Sequence, residues 1–147
     1  MRGSGKVRRV NEAKAALSIV GFKTTPDVIT EQVRVAPTGV VYNGIDGKGR
    51  NRAWLENSWW LDSRLPRSSS LNNHIDDVLA QLKPQWNAFV SLCNKYEAFI
   101  SCEVCAYEYI PEMTIDKKTV RRVTVLNASI DIDYYHDLRD EGTEEGA

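Results

Sequence analysis

Residues 13–20 alternate between two sets: Ala13, Ala15, Leu17 and Ile19 form one, and Lys14, Ala16, Ser18 and Val20 the other. A period of two puts the more apolar set on the buried face of a strand, which Gly21 ends. Thr25-Pro26-Asp27 then supplies a capping position, a proline at the first helical position and an acid in the first turn. A short helix is therefore predicted over residues 26–33, with Ile29 and Val33 one turn apart, and Pro37 and Gly39 break it. From Val40 to Leu61 the pattern reads as a hairpin. Val40, Val41 and Tyr42 lead into a loop from Gly44 to Gly49, and the return strand carries Trp54 and then Trp59-Trp60. Neighbours in a strand face opposite ways, so Trp59 goes with Leu61 to the core and Trp60 with Ser58 and Asp62 to the other face.

Pro66 and Ser68-Ser69-Ser70 form a linker, and a serine there can cap the next helix. Leu71, Ile75, Val78, Leu79 and Leu82 make a helical stripe. Pro84 interrupts it, and Trp86, Phe89, Val90, Cys93 and Tyr96 continue an apolar face, as one kinked helix or two in tandem. The period then returns to two: Ala98, Ile100, Cys102, Val104 and Ala106 alternate with Phe99, Ser101, Glu103, Cys105 and Tyr107, and Pro111 closes the strand. Asp116 can cap a last helix with Val120, Val123 and Leu126 on its apolar side, and Asn127 can terminate it. A final strand sets Ala128, Ile130, Ile132 and Tyr134 inward against Ser129, Asp131, Asp133 and Tyr135.

The order β-α-β-β-α(α)-β-α-β, with strands that alternate, predicts an α+β fold. Its single mixed or antiparallel sheet has about five strands, helices cover one face, and the core is ferredoxin-like. The 147 residues suit one domain over residues 13–136. A basic segment at residues 1–12 (Arg2, Lys6, Arg8 and Arg9) and an acidic one at 137–147 (Asp140, Glu141, Glu144 and Glu145) read as disordered tails. A net charge of −1 argues against a polybasic binder of nucleic acid or membranes. No apolar run reaches the roughly 20 residues of a membrane helix, and three cysteines without framework spacing suggest reduced thiols, so a cytoplasmic location is expected.

The blocks Ala16-Leu17-Ser18-Ile19-Val20-Gly21, Thr25-Pro26-Asp27-Val28-Ile29-Thr30, Ser58-Trp59-Trp60-Leu61-Asp62-Ser63 and Leu71-Asn72-Asn73-His74-Ile75 together resemble the DUF4279 family, a bacterial domain of unknown function. The closing strand with Tyr134 and Tyr135 is similar to it as well, and the likeness runs from about Ala13 to Tyr135. It implies a fold and no activity.

Candidate chemistry is sparse. The Gly44, Gly47 and Gly49 loop lacks the lysine and hydroxyl of a phosphate cradle, and Arg50 and Arg52 beside it read as either an anion grip or a solvated hairpin tip. Cys102 and Cys105 fall in mid-strand on opposite faces, so Cys102-Glu103-Val104-Cys105 does not read as a metal knuckle, and no metal or cofactor is expected. His74 is the one weak catalytic candidate. It reads as a general base, or as a structural residue bonded to the end of the Trp60 strand. His136 reads as solvated.

Strand parity gathers Trp60, Asp62, Glu103, Tyr107, Asp131, Asp133 and Tyr135 on the face away from the helices, with Lys14, Ser18, Ser101 and Cys105. Aromatics on a wet face read as a binding surface or as cross-strand stiffening. Its acids disfavour nucleic acid and could hold Mg²⁺ or Ca²⁺ only if their strands were neighbours. The expected function is a non-catalytic module that binds a protein partner or a second copy of itself through this aromatic-acidic face. By analogy the role would be inhibitory, immunity-type or regulatory, in bacteria or phage. The alternative is a small hydrolase or ligand-binding enzyme using His74 with Asp62 or another carboxylate.

Overall fold

The computed structural model describes residues 9–111 and 113–137. Arg2, Lys6, Arg8, Asp140, Glu141, Glu144 and Glu145, with most of the two expected tails, lie outside the described residues. Within them the elements run β1 (Glu12–Val20), α1 (Pro26–Val33), β2 (Gly39–Tyr42), β3 (Ile45–Asp46), β4 (Ser58–Asp62), α2 (Leu71–Leu82), α3 (Trp86–Lys95), β5 (Glu97–Ala106), α4 (Lys117–Leu126) and β6 (Ser129–His136). A 3₁₀ turn, Lys83–Gln85, joins α2 to α3, so Pro84 separates two helices in tandem.

One open, mixed sheet of six strands has the order β3-β2-β4-β1-β5-β6. Every neighbouring pair is antiparallel except β5 and β6, which run parallel across the α4 crossover. The predicted count of about five misses β3, a two-residue strand. It is made by Asn43 and Gly44, both at positive φ, between the paired Tyr42 and Ile45. Two such residues are what a two-residue hairpin turn needs. The chain therefore turns earlier than expected, and Trp54 lies in a loop rather than a return strand, 71% exposed, with Arg52 over its ring. Arg50 and Arg52 both bond the Asp46 carboxylate, whose pKa is held far below its usual range, first by the Arg50 backbone amide.

All the helices pack on one face. The alternation in β1, β4 and β5 buries Ala15, Leu17, Ile19, Trp59, Leu61, Ile100, Cys102 and Val104 under Ile29, Val33, Ile75, Leu79, Leu82, Phe89, Leu92, Val123 and Leu126. Trp59 is fully buried, tilted against Phe89, and its indole N–H donates to Thr30 Oγ1 at 3.0 Å. Cys93 and Cys102 are core thiols whose pKa burial pushes up to about 12.

The caps of α2 and α4 form as predicted, Ser70 Oγ accepting from Asn73 N and Asp116 Oδ1 from Thr119 N, whereas the Thr25 side chain makes no cap bond to α1. Asn127 ends α4 at φ 67°. Two expectations in this last unit are corrected. Val120 is exposed, and Thr119 takes its buried place because its hydroxyl can donate to Asp76 at 2.6 Å. The inward set of β6 is a core face only at its start: Ala128 and Ile130 pack against the core, whereas Ile132 and Tyr134 are 45% and 39% exposed, because β6 is an edge strand whose far half the helices do not cover.

Candidate functional site

No described helix crosses the side of the sheet opposite α1–α4, and the register fixes what lies there. Ser18 pairs with Trp60 on one side and Phe99 on the other; Ala16 stands between Asp62 and Ser101, with Asp131 beyond; Lys14 pairs with Glu103, and Glu103 with Asp133; Glu12 pairs with Cys105, and Cys105 with Tyr135. Four of the expected residues, Trp60, Asp62, Glu103 and Asp133, come together with Lys14 and Ser101 around one trough of about 230 Å³.

Trp60 reaches this position through Gly39, its partner on β2. The indole lies over the glycine so closely that a Cβ at Gly39 would overlap its six-membered ring. A glycine in a strand gives away packing, and the neighbouring aromatic restores it by covering the bare backbone. Asp62 is half-buried beside it. Burial raises its pKa, and the Lys14 ammonium pulls it part of the way back. Glu103 is met at the rim by Arg67 Nη2 at 3.3 Å, and Arg67 Nε also approaches Glu12 at 3.5 Å. Arg67 was not foreseen. It comes from the linker after β4, and nothing in strand parity says where a linker side chain will fall.

The remaining expected residues do not join the trough. Tyr107 keeps the outward parity but is buried, which corrects its assignment to an open surface. Arg9 stacks on its ring at 3.9 Å, its hydroxyl donates to Glu12 Oε1, and its backbone N–H donates to Asn11 Oδ1. Its pKa is pushed up to about 12, first by a hydrogen bond with the Cys105 side chain and then by burial. Asp131 and Tyr135 are exposed on β6, the free edge. Asp62 and Glu103 stand on β4 and β5 with β1 between them, and among the described residues no three His, Cys, Asp or Glu side chains converge as metal ligands would.

His74 sits on the opposite side, in the first turn of α2 and fully buried. Its Nδ1 is 2.7 Å from the Ser63 hydroxyl, at the end of the Trp60 strand, and Ser63 Oγ also accepts from Ala15 N. Nε2 has no well-formed hydrogen bond. Burial lowers the His74 pKa below its ordinary value, while the Pro66 carbonyl and the Asp77 carboxylate act against the shift. The ring is buried and lines none of the four described cavities. It locks α2 to the end of β4, alongside Gln81, which donates to the Asp62 carbonyl, and Asp77, which accepts from Arg64 N.

No described helix is long and apolar enough to cross a membrane. No curated protein and no solved structure matches the chain. A family model, a domain of unknown function, matches residues 11–137, which span all six strands and every helix above. The chain belongs to the DUF4279 family.

Proposed function

We propose that the protein is a non-catalytic binding module and that the uncovered face of its sheet, from the Trp60 trough to the β6 edge, engages a protein partner presenting cationic side chains. One observation carries the reading: the carboxylates of Asp62, Glu103 and Asp133 share a trough with Trp60, with Lys14 as the only cation in its lining. An aromatic bedded on backbone beside one half-buried acid and two more exposed ones is the composition of an interface anchor, where charge selects the partner and the ring supplies buried area. A regulatory or inhibitory role fits such a module.

A cationic partner fits this face better than a second copy. Two β6 edges paired antiparallel about a dyad near Asp131, Ile132 or Asp133 would set acid against acid on the open face, and like charges directly opposite are unfavourable. These carboxylates guard the edge against self-pairing. The test is a pull-down from native extract with wild-type protein and an Asp62→Lys/Asp133→Lys variant, both checked for fold by circular dichroism. The partner is retained by the wild type and lost by the variant, and its binding surface is basic. An identical set of captured proteins overturns the proposal.

A further inference from the structure

The helical side of the molecule carries the opposite charge. Where α4 packs beside α2 and α3, a groove of about 790 Å³ is lined by Lys83, Trp86, Lys118, Arg121, Arg122 and Val125, over Leu79 and Ala80, with no carboxylate in its lining. Among the described residues no carboxylate lies within ion-pair distance of Lys83, Lys118 or Arg121, and only Arg122 has one, Asp76 at 3.4 Å.

This arrangement works against the stability of α4. Lys117 with Arg121 and Lys118 with Arg122 are like charges four residues apart, which repel across one turn. All four lie in the first two turns, next to the positive end of the helix dipole. The end itself is already satisfied, because Asp116 takes the Thr119 amide and sits in a reciprocal pair of bonds with Asn72. Arg122 is paired with Asp76 and Lys118 favours the charge of the capping Asp116, which leaves Lys83 and Arg121 as the groove cations with no counter-charge among the described residues. Like-charged spacing that the described residues compensate only at Asp76 and Asp116 leaves cations free to meet the charge of a bound partner.

We infer that this groove binds single-stranded nucleic acid, the phosphates meeting Lys83, Lys118 and Arg121 while a base lies on Trp86 and Val125. Three features favour a strand. The cations come from two elements and are exposed along the groove, whereas a site for one free phosphate converges buried donors on a point. Trp86 is half-buried, which gives a ring fixed by packing with surface left for stacking. A basic track beside an aromatic platform reads strands without reference to sequence. The acids of the open face lie on the far side of the sheet, and the two nearest on the helix side are already engaged, Asp76 by Arg122 and Thr119 and Asp116 by Thr119 and Asn72.

The test uses a fluorescein-labelled oligothymidylate about twenty nucleotides long, a length that spans the usual single-strand sites, and fluorescence anisotropy against salt. Binding is expected at low salt, with a log–log slope of about −2 to −3, as three or four phosphate contacts on a single strand give. Lys118→Glu/Arg121→Glu, both exposed positions, loses roughly tenfold or more in affinity. Trp86→Phe weakens binding while leaving the slope unchanged. No binding at low salt, or equal binding by the double variant, overturns the inference. Free thymidine monophosphate binding as tightly as the oligonucleotide overturns the strand. Polyglutamate displacing the oligonucleotide at equal charge overturns it in favour of an acidic polypeptide.

Discussion

Trp59 and Trp60 are adjacent in the chain and meet opposite environments. Trp59 faces the helices, is fully buried, and touches Phe89 and the Thr30 hydroxyl. Trp60 faces away, lies over Gly39, and keeps part of its surface in solvent beside Asp62. The difference separates two uses of the same side chain, one making the fold and the other offering a surface. The largest effect expected in this protein follows. Trp59→Ala removes a fully packed aromatic and leaves a cavity, costing about 3–5 kcal/mol, a large share of the stability of a domain this size. Urea unfolding measures it, and a cost below about 1 kcal/mol would break the contrast.

A second substitution sharpens the comparison from the open side. Gly39→Ala puts a methyl group where the Trp60 ring lies, so the indole must lift away, at about 1–3 kcal/mol. Once Trp60 is itself alanine the clash is gone, and the same change becomes nearly free. The double-mutant cycle should show a coupling of about 1 kcal/mol or more, and additive costs would mean that the ring does not rest on the glycine.

The third effect is one of pH and belongs to the joint between the two layers. Burial holds the His74 pKa below 6.5, the value expected in an unfolded chain. Below that pH the unfolded chain takes up a proton that the folded one refuses, so stability falls as pH falls until the folded pKa is reached. The slope attains at most about 1.4 kcal/mol per pH unit. Urea midpoints for wild type and His74→Gln between about pH 7.5 and 5 should show the steeper decline in the wild type. Parallel declines would remove His74 as the cause.

How far the sequence reaches depends on whether a strand has neighbours on both sides. In β1, β4 and β5, which lie inside the sheet, a period of two was enough to sort Leu17, Trp59 and Ile100 from Ser18, Trp60 and Ser101, and the structure agrees at each. The elements α2 and α4 were legible from their caps, Ser70 and Asp116. What parity cannot supply is strand order and coverage. It therefore put Asp131 and Tyr135 on the face of Trp60, as the register does, without showing that they stand at the β6 edge outside the trough. It also left Tyr107 open, because the chain before β1 that covers it carries no pattern. The hairpin was misread for a different reason: Asn43-Gly44 is itself the turn signal, and the glycines after it drew the loop too far along. The helix-side groove depends on how α4 packs beside α2 and α3, which no periodicity states, although the like-charged spacing in Lys117-Lys118-Thr119-Val120-Arg121-Arg122 is readable in the sequence.

The smallest effect expected is at that edge, and it separates two meanings of an apolar residue in a strand. Ile132 pairs with Cys102 across the β5–β6 ladder, so the two share the helix side, yet Cys102 is 2% exposed and Ile132 45%. Ile132→Thr keeps the branched shape that a strand prefers and replaces the ethyl arm of a side chain already in contact with water by a hydroxyl. Its cost should lie within about 0.5 kcal/mol, the range of surface substitutions. Ile100→Ala, one strand inward and fully buried, should cost about 2–5 kcal/mol. If Ile132→Thr instead costs more than about 1.5 kcal/mol in the isolated protein, something covers β6 in solution. A cost that falls as the protein is diluted would identify that cover as a second copy.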